Sequence, residues 1–327
     1  MNTSNIIGHQ IQLQRIQSML ESTLEPQAIL FTGRSGIGKS IIAKRLLMTL
    51  FCKEGDSCLA CKDCNGIAKG SHPDVLMLET NDKGTIPLGD DSSPGTVRWL
   101  ISRLSKKSQS GRYGVIIDGA ENLSTAGQNA LLKTLEEPPQ GTLIVLIATG
   151  KQLILPTILS RVTEISFQAL SAEQVFSILK SHYSLDSTLA TAANICGGSV
   201  GIASLLMEDN NLDEVEKLLS SITNYIVNRG ILDLDLDSLQ KKIGAEKLLF
   251  ILTNSFRSIL LAKINGVAGD DFFSKFSFLN EDILTKLIKI TLSLSRSLDM
   301  NLILSNSFKG MLYSIDTMKP TGLPTFD

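Results

Sequence analysis

An apolar run that empties into Gly-x-x-x-x-Gly-Lys-Ser constrains this chain more than any other stretch: Ile29 to Ser40 reads ILFTGRSGIGKS. Gly33, Gly36 and Gly38 allow turns tight enough for several backbone N–H groups to converge on one anion, and Lys39 adds a point charge. Ser40 can offer a hydroxyl to a magnesium ion. Ile41 to Leu50 has the pattern of a helix whose N-terminal end faces the phosphates. A strand before and a helix after are the context this motif needs, and they weigh against the plainer reading of a glycine-rich turn with an incidental Lys-Ser.

Around that motif, apolar strands alternate with helical segments as far as residue 167. Ile7 to Leu24 has helical spacing and is broken at Pro26 and Gln27 before a strand at Ala28 to Thr32. His9, just ahead of the helix, can lie near an adenine, but a solvent-facing place is the expectation. Val75 to Leu78 and Leu143 to Ala148 read as further strands, Thr96 to Lys106 as a helix with Trp99 as a packed or half-buried anchor. Asn81 to Gly95 reads as a surface loop. The strand Tyr113 to Ile117 runs into Asp118, where a phosphate-loop site uses an acid to orient magnesium. Thr125-x-x-Gln128 suggests a capping box for a helix that Pro138-Pro139 ends. This alternation predicts an α/β domain with a parallel sheet covered on both faces.

Five cysteines are not a disulfide framework when four of them cluster, as Cys52-x5-Cys58-x2-Cys61-x2-Cys64, and the fifth, Cys196, stands in an apolar run as a core thiol. Four thiolates at these spacings can close a tetrahedral shell around zinc, which leaves no open position and makes the ion structural. His72 is a fifth candidate, but a full shell makes it a turn histidine before Pro73. The loop balances Lys53, Lys62 and Lys69 against Glu54, Asp56 and Asp63, which argues against a phosphate-binding finger.

From Thr157 to Met318 there is no proline, and apolar residues recur at three and four, so the second half is all-α. Ser171 to His182 opens with a Ser-x-x-Gln start. Gly197, Gly198 and Gly201 mark a turn, and Asp209 to Asn211 a polar boundary. Leu212 to Ile226, Leu239 to Asn265 and Glu281 to Met318 read as longer helices, with a turn near Gly269 and a loose tail from Lys319. At 327 residues the chain suits two or three domains, and a formal charge of -2 leaves room only for local contact with nucleic acid. The N-terminus has neither a basic start nor an apolar core, and no run reaches a membrane span, which predicts a cytoplasmic protein.

In this order GRSGIGKS, the four-cysteine module with His72-Pro73-Asp74 behind it, VIIDGAENL, NALLKTLEEPP and LPTILSR resemble the motif series of bacterial clamp-loader subunits of the AAA+ class. The likeness is strong over residues 1–205 and rests beyond that on length and helix content. It implies an AAA+ RecA-like nucleotide-binding domain over 1–167 with the zinc module at 52–64, a helical lid domain at 168–207 and a helical collar (oligomerisation) domain at 208–327. Gly33, Gly36, Gly38, Lys39, Ser40 and Asp118 would then hold ATP or ADP with magnesium. Cys52, Cys58, Cys61 and Cys64 would hold structural zinc. The implied partners are gamma- or tau-type motor subunits, the delta subunit, and through them the sliding clamp and primer-template DNA, in a hetero-oligomer of a DNA polymerase III holoenzyme whose polymerase chemistry lies elsewhere.

Three departures from the family's pattern bear on activity. The catalytic glutamate after the magnesium aspartate is replaced by Gly119, and the second arginine of the lid motif by Ile202 in Gly198-Ser199-Val200-Gly201-Ile202-Ala203. Losing such groups lowers rates by orders of magnitude, so an ATPase of its own is expected to be absent or very weak. Arg161 in Leu159-Ser160-Arg161 resembles the family's arginine finger, acting in trans, although Val162 stands where a cysteine is usual. Its plainer role is an ion pair with a local carboxylate such as Glu164. Two rival readings are a motor subunit in which Glu121 replaces the missing carboxylate, and a zinc-dependent nucleic-acid-binding module.

Overall fold

Strand β1 (Ala28–Thr32) is buried along its whole length, and its side chains divide between two cores. Ile29 and Phe31 enter one, Ala28 and Leu30 the other. Strand β4 (Leu143–Ala148) alternates in the same way, with Val145 and Ile147 on the first face and Ile144 and Leu146 on the second. Unbroken apolar runs of this kind belong to parallel sheets covered on both sides. The sheet has the order β2 (Val75–Leu78), β3 (Gly114–Asp118), β4, β1, β5 (Thr163–Ser166), every pair parallel. The structure, a computed structural model, describes residues 3, 6–21, 27–184, 186–228, 236–266, 271–276, 278–298 and 304–316. The chain forms two compact units, Met1–Leu170 and Ser171–Asp327.

In the first unit, helices α1 (Gln10–Glu21), α2 (Lys39–Phe51) and α3 (Lys62–Ala68) close one core through Leu13, Ile16, Leu46, Leu47 and Ile67. Helices α4 (Val97–Leu104), α5 (Thr125–Glu136) and the short α6 (Pro156–Leu159) close the other through Leu100, Leu131, Leu135 and Ile158. Trp99 packs half-buried against this second core. The surface loop ahead of α4 is less open than its composition suggests, because Ile86 is buried and bridges to Leu123. No capping box forms at Thr125. Ser124 is the cap, its Oγ accepting from Gly127 N at 3.1 Å, and the Gln128 amide instead donates to Leu153 O (3.0 Å) and accepts from Leu155 N (2.8 Å).

A buried carboxylate ties the lower edge of this sheet. Asp74, just ahead of β2, accepts from Gln109 N (3.0 Å), Ser110 N (2.7 Å) and Ser110 Oγ (2.7 Å). Burial pushes its carboxyl up, but these bonds together outweigh burial and leave it below the ordinary carboxylate range. Asp74→Ala leaves those donors without their acceptor and is expected to destabilise the protein by about 2 kcal/mol. A carboxyl lowered in the folded state contributes stability above its unfolded value of about 4 and loses it as pH falls through the lower folded value. Urea unfolding of both proteins should therefore show a gap that is full at neutral pH and narrows on acidification below that point.

The second unit is helical among the described residues: α7 (Ala172–Lys180), α8 (Asp186–Ile195), α9 (Val200–Met207), α10 (Asn211–Asn228), α11 (Leu236–Ile243), α12 (Ala245–Ile264), α13 (Asp271–Ser274), α14 (Glu281–Arg296) and α15 (Leu304–Asp316). Ser171 and Gln174 form the expected capping box. Cys196 is fully buried, its thiol donating to Ala193 O. Gly197 and Gly198 make the turn in left-handed conformation, whereas Gly201 lies inside α9. The helix expected over 239–265 is two helices, split at Gly244, whose φ of 90° no ordinary helix residue adopts. The helix expected over 281–318 is also two, with Ser297 capping the first. Pro26, Gly269 and the tail from 317 lie outside the described residues. No described helix is long and apolar enough to cross a membrane.

Candidate functional site

Register across the sheet puts Phe31 of β1, Ile147 of β4 and Asp118 of β3 in one row. Side chains in one row of a parallel sheet point to the same face, and Phe31 and Ile147 belong to the core that α2 covers. Asp118 therefore ends its strand on the side where α2 begins. Gly33, Gly36 and Gly38 all have positive φ, at 140°, 75° and 100°. A Cβ at Gly33 would stand 2.4 Å from the Phe167 carbonyl oxygen, so that turn accepts no side chain, while one at Gly38 would meet nothing within 4 Å. Gly38 is the N-cap of α2, and no side chain caps the helix there. The positive end of a 13-residue helix thus opens directly onto the loop.

Lys39 is buried, and its Nζ donates to the carbonyls of Gly33 and, at 2.6 Å, Arg34. Burial pulls its pKa down, against Asp118 and Glu121, whose charges push it up. Both carboxylates are therefore within electrostatic reach of the ammonium. Glu121 is anchored at this end of the sheet. Its Oε1 accepts from Thr149 N at 2.9 Å, just past the end of β4, and its Oε2 is buried without a hydrogen-bond partner among the described residues. His9 is not solvent-facing either: at a φ of 59° it bonds Ile37 O through Nε2 at 2.9 Å and packs edge-on against Phe167. Burial lowers its pKa, the bond to Ile37 raises it and Lys39 lowers it further, which ties His9 to the same loop. An open cradle, a buried lysine satisfied by loop carbonyls and an unpartnered acidic oxygen fit a phosphate group carrying a divalent cation.

Below α2 the four clustered cysteines converge, their sulfur atoms all within 4.8 Å of one another. Cys52 caps the C-terminus of α2 and Cys61 the N-terminus of α3. The N–H groups of Cys58, Cys61 and Cys64 donate to the sulfurs of Cys52, Cys58 and Cys61 at 3.5, 3.3 and 3.4 Å. Left-handed Ser57 and Leu59 turn the chain to allow this. The N–H bond from Cys58 pulls the Cys52 thiol down to about 6, the bond from Cys64 lowers Cys61, and burial pushes Cys64 up. His72 stays outside the group: it is buried against Phe51, accepts from Asp74 N and lies 3.5 Å from Asp63. Four close sulfurs with amide support can hold a metal ion.

Arg161 follows α6. Its Nε donates to Glu136 Oε1 at 2.7 Å and its Nη2 to the same oxygen, while Nη1 donates to Thr157 O (2.7 Å) and Ser160 Oγ (3.0 Å). The local carboxylate is thus Glu136 and not Glu164, which accepts from Thr32 Oγ1 and pairs with Lys151. Sequence reasoning passed over Glu136 and the Ile37 bond of His9 and gave Gln128 a capping role it does not have; no spacing rule names the partners of these residues.

The family model described as DNA polymerase III, delta subunit, matches residues 8–171. The delta' subunit of Bacillus subtilis is 32% identical over 168 residues, 49% of this chain and 49% of that protein. The delta' subunit of Pseudomonas aeruginosa is 36% identical over 138 residues, 41% and 40% of the two chains. The tau subunit of Escherichia coli is 31% identical over 176 residues, 53% of this chain and 26% of that protein. The chain thus aligns with half or less of each of these relatives. A crystal structure of a gamma-subunit-related protein of DNA polymerase III from Thermotoga maritima superposes with a TM-score of 0.51 at 18% identity, covering 93% of this chain and 97% of that one, a likeness of AAA+ fold. By its motifs, its five-stranded parallel sheet and the match over residues 8–171, the chain belongs to the DNA polymerase III delta-subunit family of clamp-loader proteins.

Proposed function

We propose that this chain is a delta-prime-like stator of the DNA polymerase III clamp loader: it supports ATP-dependent loading of the sliding clamp onto primed DNA, binds nucleotide without turning it over, and donates Arg161 to a neighbouring ATPase subunit. Residues 168–207 act as a lid, 208–327 as the collar, and the ion at the four cysteines is structural zinc. Motor subunits of the gamma or tau type and the delta subunit are its partners. Ser40 and Asp118 would hold magnesium, which would neutralise phosphate charge.

The observation that carries this reading is Gly119. The position after the magnesium acid has a φ of 84°, and a Cβ there would stand 2.9 Å from Asn122 Nδ2 and 3.1 Å from Thr80 Cγ2. The backbone is built for glycine, so no carboxylate activates water from this place. Ile202, half-buried in the first turn of α9, offers no charge to a γ-phosphate. The purified chain is expected to bind nucleotide modestly, to lose that binding in Lys39→Ala, and to show no turnover above background. Turnover at motor-subunit rates that Lys39→Ala abolishes would refute the stator.

The motor reading draws on the unpartnered Oε2 of Glu121. Its Oε1, however, is committed to Thr149 N, which ties the carboxylate to the strand end. Glu121→Gln separates the two: it stops hydrolysis by a motor and leaves a stator's complex unchanged.

A further inference from the structure

The hold on Arg161 has more parts than a surface ion pair needs. A guanidinium carries five N–H groups, and four of them are engaged: one from Nε and one from Nη2 on a single oxygen of Glu136, and both from Nη1 on Thr157 O and Ser160 Oγ. The anchors come from the last residue of α5, from α6 and from the residue just before Arg161. Among the described residues one N–H of Nη2 has no acceptor, which leaves it for a ligand. The Arg161 side chain is 33% exposed and that of Glu136 48%, so the pair sits at the surface. Isolated exposed pairs contribute little to stability. What this arrangement supplies is a fixed direction for a planar group.

We propose that Glu136 is the positioning residue of Arg161, holding the guanidinium formed and aimed before any neighbouring phosphate arrives. The inference rests on the reading of Arg161 as a group that acts in trans. A long side chain free in solvent spends most of its time in other rotamers, and ordering it on each turnover raises the barrier. Glu136 removes that cost through a charge-assisted fork, with the carbonyl of Thr157 fixing the third nitrogen. The contacts Glu136 makes are with the Arg161 guanidinium, so any effect of Glu136 would pass through that residue.

The test is a mutant cycle in a reconstituted loader, with gamma- or tau-type subunits and ATP binding confined to the site beside this chain. Glu136→Ala is expected to lower kcat for DNA-stimulated hydrolysis about tenfold with KM for ATP nearly unchanged. Glu136→Gln, whose amide oxygen still accepts from Nε and Nη2, recovers part of the loss. The Glu136→Ala, Arg161→Ala double variant is no slower than Arg161→Ala alone, since a positioning residue has nothing left to position. Assembly by size exclusion and melting temperature show that each variant is folded and incorporated. A wild-type or faster rate in both Glu136 variants overturns the proposal, as does a double variant slower than Arg161→Ala. If Arg161→Ala itself runs at the wild-type rate, the trans role falls and this inference with it. A slow Arg161→Ala beside an unaffected Glu136→Ala removes Glu136 alone.

Discussion

In a loader whose one competent ATP site lies beside this chain, Arg161→Ala is expected to lower DNA-stimulated hydrolysis by a factor on the order of a thousand while the complex still assembles. The size follows from what a guanidinium does in phosphoryl transfer. Charge spreads over the equatorial oxygens in the transition state, and a planar cation placed against them stabilises that state more than bound ATP. The loss therefore appears in kcat, with KM for ATP changed far less. Arg161→Lys is expected to recover little, because an ammonium is a point charge that cannot reproduce a fork held on Glu136 and Thr157. An unchanged rate for both variants, in a complex shown to contain this chain, would make Arg161 a structural residue whose business ends at Glu136.

The pocket retains every part that binds a phosphate: left-handed glycines, a helix end without a side-chain cap, and a lysine within reach of two carboxylates. Gly119 offers no carboxylate to deprotonate water, and its φ means that a single substitution does not simply supply one there. On the proposed reading, binding is separated from turnover at this chain's own site, while Arg161, its guanidinium held on Glu136 and Thr157, lies elsewhere on the same unit.

Most of this site was legible in the sequence where the signal was local. β1, β2 and β4 fall where unbroken apolar runs put them, because a strand buried on both faces needs no alternation to be seen. The phosphate loop and the cysteine cluster were legible because their chemistry demands particular residues at fixed spacing. β5 was not: of Thr163 to Ser166 only Ile165 is buried, and an edge strand of four residues leaves no pattern to read. Gly244 hid a helix break inside a run whose periodicity continues on both sides. His9, Gln128 and Glu136 were misread or missed for a different reason. Each has its partner 25 or more residues away, on Ile37, on Leu153 and on Arg161, and such pairings are decided by the packed sheet and not by the neighbouring sequence.

Stripping the metal from the cysteine cluster is expected to cost this protein on the order of 5 kcal/mol and more than about ten degrees in melting temperature. The cluster is not an appendage. Cys52 and Cys64 are buried in the same core as Ile29, Phe31 and Leu46, and the cluster joins the last turn of α2 to the first of α3. Between Cys52 and Cys61 the chain has no helix or strand, so an ion held by the four sulfurs would fix that crossing. Burial pushes the Cys64 thiol up, toward its neutral form, so a cation among the four close sulfurs would be what favours the thiolate there. Chelation should loosen α3 and the 53–61 segment first, seen as faster amide exchange there, while β1 and β4, buried by other contacts, remain protected. Cys64→Ser should reproduce the loss and Cys196→Ser, in the second unit, should not change metal content. Protein purified without chelators should carry one zinc per chain. Less than about half an equivalent, or an unchanged melting temperature in Cys64→Ser, would mean that the four thiols pack together without a metal.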